Sequence, residues 1–191
     1  MSFLKGSREW RLRRVVILCQ TFMRNLAYFQ AADSYRDTLR DPPFTPEREV
    51  LITSINNNLD VCVTEWCKLF GEPEGKHAWE KIVSCPNKFA FALQNDLGMS
   101  AVEIDTYKRK MRRLRDKFIA HLDSDEKMDY PKLEQARKSV VFYHSYLVTH
   151  EAQAGVLDGL IASTEQFSLY SSSCKVHAEK TYRILTQMSQ K

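Results

Sequence analysis

The chain has 191 residues, 43% of them hydrophobic and 27% charged, with a formal net charge of +4. That length suffices for one well-buried domain and is too short for two comfortable ones, so a single domain spanning 1–191 is expected. With six glycines and six prolines, the prolines at segment boundaries, the composition suits an all-α protein and argues against strands and tight turns.

The first long helix is expected over about Arg8 to Leu39, with Leu12, Val15, Val16, Cys19, Phe22, Met23 and Leu26 facing inward. Ile17 and Leu18 widen this apolar zone, so the helix is either central to the core or lies in an oligomer seam, buried by a partner chain or by the C-terminal helix. Asp41-Pro42-Pro43-Phe44 breaks it. Thr45 and Pro46 then cap and preset a second helix whose inner face is Leu51, Ile55, Leu59, Cys62, Val63, Trp66, Leu69 and Phe70, with Gly71 as its stop. Asn56, Asn57 and Asn58 within it read as a polar solvent face, or as groups reaching a phosphate or base edge.

Glu72 to Lys76 is a polar connection, followed by one or two helical turns from His77 to Val83. Trp79 there fits core packing better than a base-stacking role. Pro86 opens a short helix carrying Phe89, Phe91, Ala92 and Leu93 and ending at Gly98.

The segment that follows organises the chain. Ser100 and Glu103 form a capping box, and an apolar stripe runs through Ile104, Tyr107, Met111, Leu114, Phe118 and Leu122. On a helical wheel Arg115 falls about 55° to one side of this stripe and His121 about 65° to the other, with their bases roughly 10 to 11 Å apart. Lys108, Arg109, Lys110, Arg112, Arg113 and Lys117, with Asp116, are expected to point away from it. A guanidinium clamps a phosphate in a fixed fork and an imidazole carries a proton near neutral pH, so the pair is a minimal kit for attack by a ribose 2′-hydroxyl on its own phosphodiester. The plainer alternative pairs Arg115 with Asp116, Asp123 or another carboxylate and leaves His121 as a helix-terminal histidine.

An acidic stretch, Asp123 to Asp129, comes next. Its carboxylates either orient His121 and lock Arg115, through Asp123 or Asp125, or stand in solvent. Pro131 opens a helix with Leu133, Ala136, Val140, Tyr143 and Leu147 on one face, and Tyr143 and His144 could face the Arg115 and His121 seam. From Gln153 to Ile161 the chain either continues that helix or turns at Gly155 and Gly159. Ser163 and Gln166 suggest a capping box for a last helix with Phe167, Tyr170, Cys174, His177 and Ile184 on one side.

Five scattered cysteines, Cys19, Cys62, Cys67, Cys85 and Cys174, include no C-x-x-C pair, and the five histidines no H-x-x-x-H pattern. Packing cysteines in a reducing compartment, no metal and no cofactor are expected. The longest apolar run is far short of a membrane span and no secretion signal is credible, so no membrane partner and a cytoplasmic location are expected.

Arg115-Asp116-Lys117-x-x-Ala120-His121-x-Asp123, late on a long helix of an all-helical chain, resembles the Arg-x4-6-His signature of the HEPN superfamily. It is most similar to the bacterial abortive-infection HEPN-like proteins, and the helix end from Asp60 through Trp66 and Lys68 to Gly71 looks like the upstream element of the same group. The resemblance covers about residues 45 to 150. It implies a HEPN-like bundle with an up-down core and flanking helices. It also implies a metal-independent endoribonuclease acting as a homodimer, with Arg115, His121 and Asp116 of both chains meeting across a two-fold cleft. Arg109, Arg112, Arg113 and Lys117 would hold the RNA. Toxin-antitoxin or antiviral defence is the implied setting, with a cognate antitoxin or defence partner, although Asp123 stands where members silenced by tyrosine modification carry Tyr. Other members are non-catalytic and bind nucleotide or a protein partner. An open cleft holding Arg115 and His121 favours the enzyme; Arg115 closed on a carboxylate with His121 buried favours the binding module.

Overall fold

A computed structural model of the chain describes residues 6–35, 45–119 and 131–188, and all regular structure within them is helical. Six helices are described: α1 (Arg8–Asp33), α2 (Pro46–Trp66), α3 (Pro86–Leu97), α4 (Ala101–Leu114), α5 (Leu133–Tyr146) and α6 (Thr164–Met188). Three of them widen into a π-helical turn at the C-terminal end: α2 at Cys67–Gly71, α4 at Arg115–Ile119 and α5 at Leu147–Glu151.

The starts of the helices follow from side-chain caps. The Ser7 hydroxyl accepts from the Trp10 N–H at 3.1 Å, and the Thr45 side chain accepts from the Arg48 N–H with Pro46 in the first turn. Ser100 and Glu103 make the full reciprocal box, the Ser100 N–H donating to Glu103 at 2.8 Å. In α6 the Gln166 N–H donates to Ser163 Oγ at 3.1 Å, while the Gln166 side chain accepts from the Ala162 N–H instead of from Ser163. α3 ends at Gly98, whose φ of 62° is a left-handed conformation that glycine adopts without strain.

Direction can be read from paired contacts. Gln20 and Tyr28 of α1 meet Tyr170 and Tyr182 of α6 in the same order, so α1 and α6 run parallel. Trp66 and Phe70 meet Ser139 and Tyr143 in order, so α2 and α5 are also parallel. Arg8, at the start of α1, pairs with Glu151 beyond α5, and Phe22 contacts Cys62 while Tyr182 bridges Tyr28 to Ser54. α1 and α6 therefore run against α2 and α5, an up-down core with α3 and α4 on its flank. α1 is central: Leu12, Val15, Val16, Cys19, Phe22 and Leu26 are all buried, and α2 and α6 both pack along it. The C-terminal helix thus packs along α1 within one chain.

Several expectations need correction. α1 stops at Asp33, where the Ser34 N–H turns back to Gln30 and Ala32; Leu39 and the Asp41-Pro42-Pro43-Phe44 break lie outside the described residues. The segment after His77 forms one short turn, Trp79–Lys81, within the one or two turns expected. Phe91 points to solvent at 67% exposure, because α3 packs through Phe89 and Leu93, with Ala90 and Leu97 half-buried beside them. On α6 the inner face is Phe167, Cys174, Ala178 and Tyr182, while His177 and Ile184 are exposed; its buried stripe follows the packing against α1 and departs from the spacing chosen from sequence. Gly155 and Gly159 both turn the chain, at φ 81° and 77°. Of the three asparagines, Asn58 bonds the Ser54 carbonyl at 2.7 Å and approaches the Tyr182 hydroxyl, while Asn56 and Asn57 face solvent.

Candidate active site

The candidate site begins where α4 leaves its regular course. Met111 and Leu114 are buried, as the stripe requires, and Ile104 and Tyr107 are half-buried above them. From Arg115 to Ile119 the helix takes π-helical spacing. Bonds reaching one residue further back widen the turn, so residues 115–119 are displaced from an ideal wheel. His121, Leu122 and Asp123, with the whole acidic stretch, lie outside the described residues.

Arg115 is half-buried and held by two carboxylates. Its Nε donates to Asp116 Oδ1 at 2.8 Å, its Nη2 lies 2.8 Å from the same oxygen, and its Nη1 pairs with Glu72 Oε1. Glu72 directly follows the π-helical turn that ends α2, so the ion pair joins the ends of α2 and α4. The two ends come close because Gly71 has no side chain: a Cβ there would sit 3.3 Å from Arg112 Cγ and from the Cys67 side chain. Gly71 therefore favours the close approach, since a side chain there would make Arg112 or Cys67 shift, and its role as a stop is secondary.

Arg112, Arg115, Glu72 and Asp116 all act electrostatically on Cys67, two cations against two anions. Burial pushes that thiol up to about 12, with Arg115 opposing. The thiol is inert packing, and the charges around it balance.

The basic run does not divide as expected. Lys108 turns inward, its ammonium 5.4 Å from the Trp79 ring centroid and 3.6 Å from Glu80. Arg112 packs against Gly71. α4 therefore has a wider packing face than its apolar stripe, since the turn at Trp79–Lys81 flanks one edge and the end of α2 the other. Arg115 is not the only base on that face. Arg109 and Arg113 are exposed, and Arg109 binds its own helix through Asp105 at 3.2 Å and Thr106 at 3.1 Å. Lys117 is half-buried. Arg112, Arg115 and Asp116 are thus brought together, with Glu72 as a member that sequence reasoning missed: nothing in a polar connection points to a cation 43 residues on.

Tyr143 and His144 do not join this group. Tyr143 packs on Phe70 and Phe89, and His144 stacks on Phe167 with ring centroids 3.8 Å apart. Trp79 stacks on Phe89 at 4.8 Å, a core contact.

The chain matches no protein family, no curated protein and no solved structure. Among the described residues no three His, Cys, Asp or Glu side chains cluster as a metal site requires, and no helix is long and apolar enough to cross a membrane. Chemically, the arrangement offers one guanidinium fork at a helix junction, occupied by carboxylates that an incoming phosphate can replace.

Proposed function

We propose that the chain is a metal-independent endoribonuclease of the HEPN toxin or phage-defence type, in which Glu72 holds Arg115 in a resting state. The observation that carries this reading is the placement of Arg115. It sits six residues before His121 in the Arg-x-x-x-x-x-His pattern, at the junction of two helix ends, with its fork already satisfied by oxygens of the kind a phosphate presents. In the active form two chains combine their Arg115 and His121 side chains in one cleft.

His121 accepts the 2′-hydroxyl proton of the RNA, and the 2′-oxygen forms its bond to phosphorus as the bond to the 5′-oxygen breaks. The 5′-oxygen leaves with a proton from histidine. Arg115, freed from Glu72, stabilises the extra negative charge on phosphorus, and Asp116 keeps the guanidinium oriented. Exposed Arg109 and Arg113, with Arg112 and Lys117, hold the strand through its phosphates. The products carry 2′,3′-cyclic phosphate and 5′-hydroxyl ends.

A second reading, a non-catalytic HEPN-fold module that binds nucleotide or a protein partner, is favoured by the same closure of Arg115 on two carboxylates. One assay separates them: cleavage of total cellular RNA in EDTA by the wild-type chain and by His121→Ala at matched melting temperature. Cleavage lost in the variant supports the enzyme. No cleavage by either, with both folded, supports the module.

A further inference from the structure

A second polar cleft lies between α1 and the connection that follows α2. It is lined by Arg14 and Leu18 of α1, by Lys68, and by Glu72, Gly75, Lys76 and His77, and encloses about 710 Å³ including its open mouth. Three cations face one carboxylate, and that carboxylate also pairs with Arg115. Neither Arg14 nor Lys76 pairs with a carboxylate among the described residues; Arg14 lies 6.0 Å from the Trp10 ring centroid. Lys68 shares its charge with Glu65 at 2.8 Å.

His77 lies among these cations. Its Nδ1 is buried and meets no hydrogen-bond partner, and its ring is 6.3 Å from that of Trp10. Burial holds the imidazole below its ordinary range, helped by Lys76, Arg14, Lys68 and Arg11. The groups that face it are therefore Arg11 and Arg14 from α1, Lys68 from the end of α2, and Lys76 beside it, with Glu72 as the acid on the cleft wall. Like charges converge on a concave surface without a matching number of anions, which favours a multiply charged anion held by several donors.

We propose that this cleft is a binding site for a small oligophosphate anion, with Arg14, Lys68 and Lys76 on its oxygens and Trp10 behind Arg14 and His77. The site is separate from the Arg115 fork and does not rest on the ribonuclease reading. Glu72 stands between the two, one face on the cleft and its carboxylate on Arg115.

The test is calorimetric titration of the full chain with inorganic pyrophosphate at low ionic strength, with ADP and a single-stranded RNA oligomer as separate arms. Saturable binding at one site is expected. Arg14→Gln and Lys76→Gln should each weaken it about tenfold, the scale of one charge-assisted hydrogen bond. Glu72→Gln should tighten it by removing the opposing charge, and Lys138→Gln, on an exposed face of α5, should leave it unchanged. Pyrophosphate and ADP binding alike means that phosphate alone is recognised, and tighter ADP adds a base contact; either supports the site. In an NMR titration the His77 midpoint should rise when pyrophosphate is present. Binding that persists in Arg115→Lys, which keeps the charge beside Glu72 and loses the fork, separates this site from the proposed catalytic one. Absence of saturable binding, equal loss in Lys138→Gln, an unmoved His77 midpoint, or RNA binding the cleft more tightly with each added nucleotide would overturn the proposal.

Discussion

Glu72 and Arg115, 43 residues apart in sequence, form an ion pair where the π-helical ends of α2 and α4 abut. Both partners are partly open to water, at 22% and 42% side-chain exposure for Arg115 and Glu72, so the pair contributes less than about 1 kcal/mol to stability. Its effect is on what the guanidinium can bind. Glu72→Gln should leave the melting temperature nearly unchanged and raise RNA cleavage severalfold. A fall in cleavage would make Glu72 a positioning residue for Arg115 and sink the resting-state latch.

Arg115→Lys keeps a positive charge and loses the planar fork. A single ammonium cannot hold two phosphate oxygens in fixed geometry, so cleavage should drop by about 10² or more while thermal stability stays within about 1 kcal/mol of wild type. Kinetics on a defined oligomer, read alongside circular dichroism, checks both halves.

Trp66 Nε1 donates to Ser139 Oγ at 2.9 Å, and that hydroxyl donates onward to the Ala136 carbonyl at 2.8 Å, both inside the core. Ser139→Ala removes the acceptor and strands a buried indole N–H. The expected loss is about 1–3 kcal/mol, measured by urea unfolding. Loss below a few tenths would mean that the indole finds another acceptor.

Arg8 closes a network between the start of α1 and the end of α5. It pairs with the buried Glu151 carboxylate, which also accepts from the Ser84 N–H at 2.9 Å and the Ser84 hydroxyl at 2.6 Å. Arg8→Ala leaves that carboxylate without its cation. Because Arg8 is about one-third exposed, water moderates the cost, and about 1–3 kcal/mol is expected instead of the larger loss of a fully buried pair. A stability change no larger than that of Lys138→Ala would contradict it.

His144 sets an acid limit. Burial pushes its imidazole from an ordinary 6.5 down to about 4, against the pull of a 3.1 Å contact between Nε2 and the Ile161 carbonyl. The unfolded chain takes up this proton as pH falls through about 6.5 and the folded chain only near 4. Stability present above 6.5 is therefore lost progressively between about 6.5 and 4, by up to roughly 3 kcal/mol. His144→Phe should be less stable at pH 7 and show a flatter profile across that window. Equal slopes for the two proteins would assign the acid sensitivity to other groups.

The sequence alone determined the helical class and most inward faces. Those depend on local chemistry: Ser100 with Glu103, Thr45 with Pro46, and the apolar spacing of α2, whose eight inner residues are all buried. It also offered Asp116 as a carboxylate partner for Arg115, and the two form an ion pair. Only the tertiary structure decided what else those groups touch. A wheel assumes unbroken α-helical spacing, and the π-helical turns at Cys67–Gly71 and Arg115–Ile119 break it at the place where the site forms. Lys108 turned inward because Trp79 and Glu80 offered a ring face and a carboxylate, and Glu72 reached Arg115 because Gly71 let two helix ends approach. Local periodicity fixes which side of a helix is apolar, whereas long-range approach fixes which charges meet, and electrostatic partnership follows distance in space.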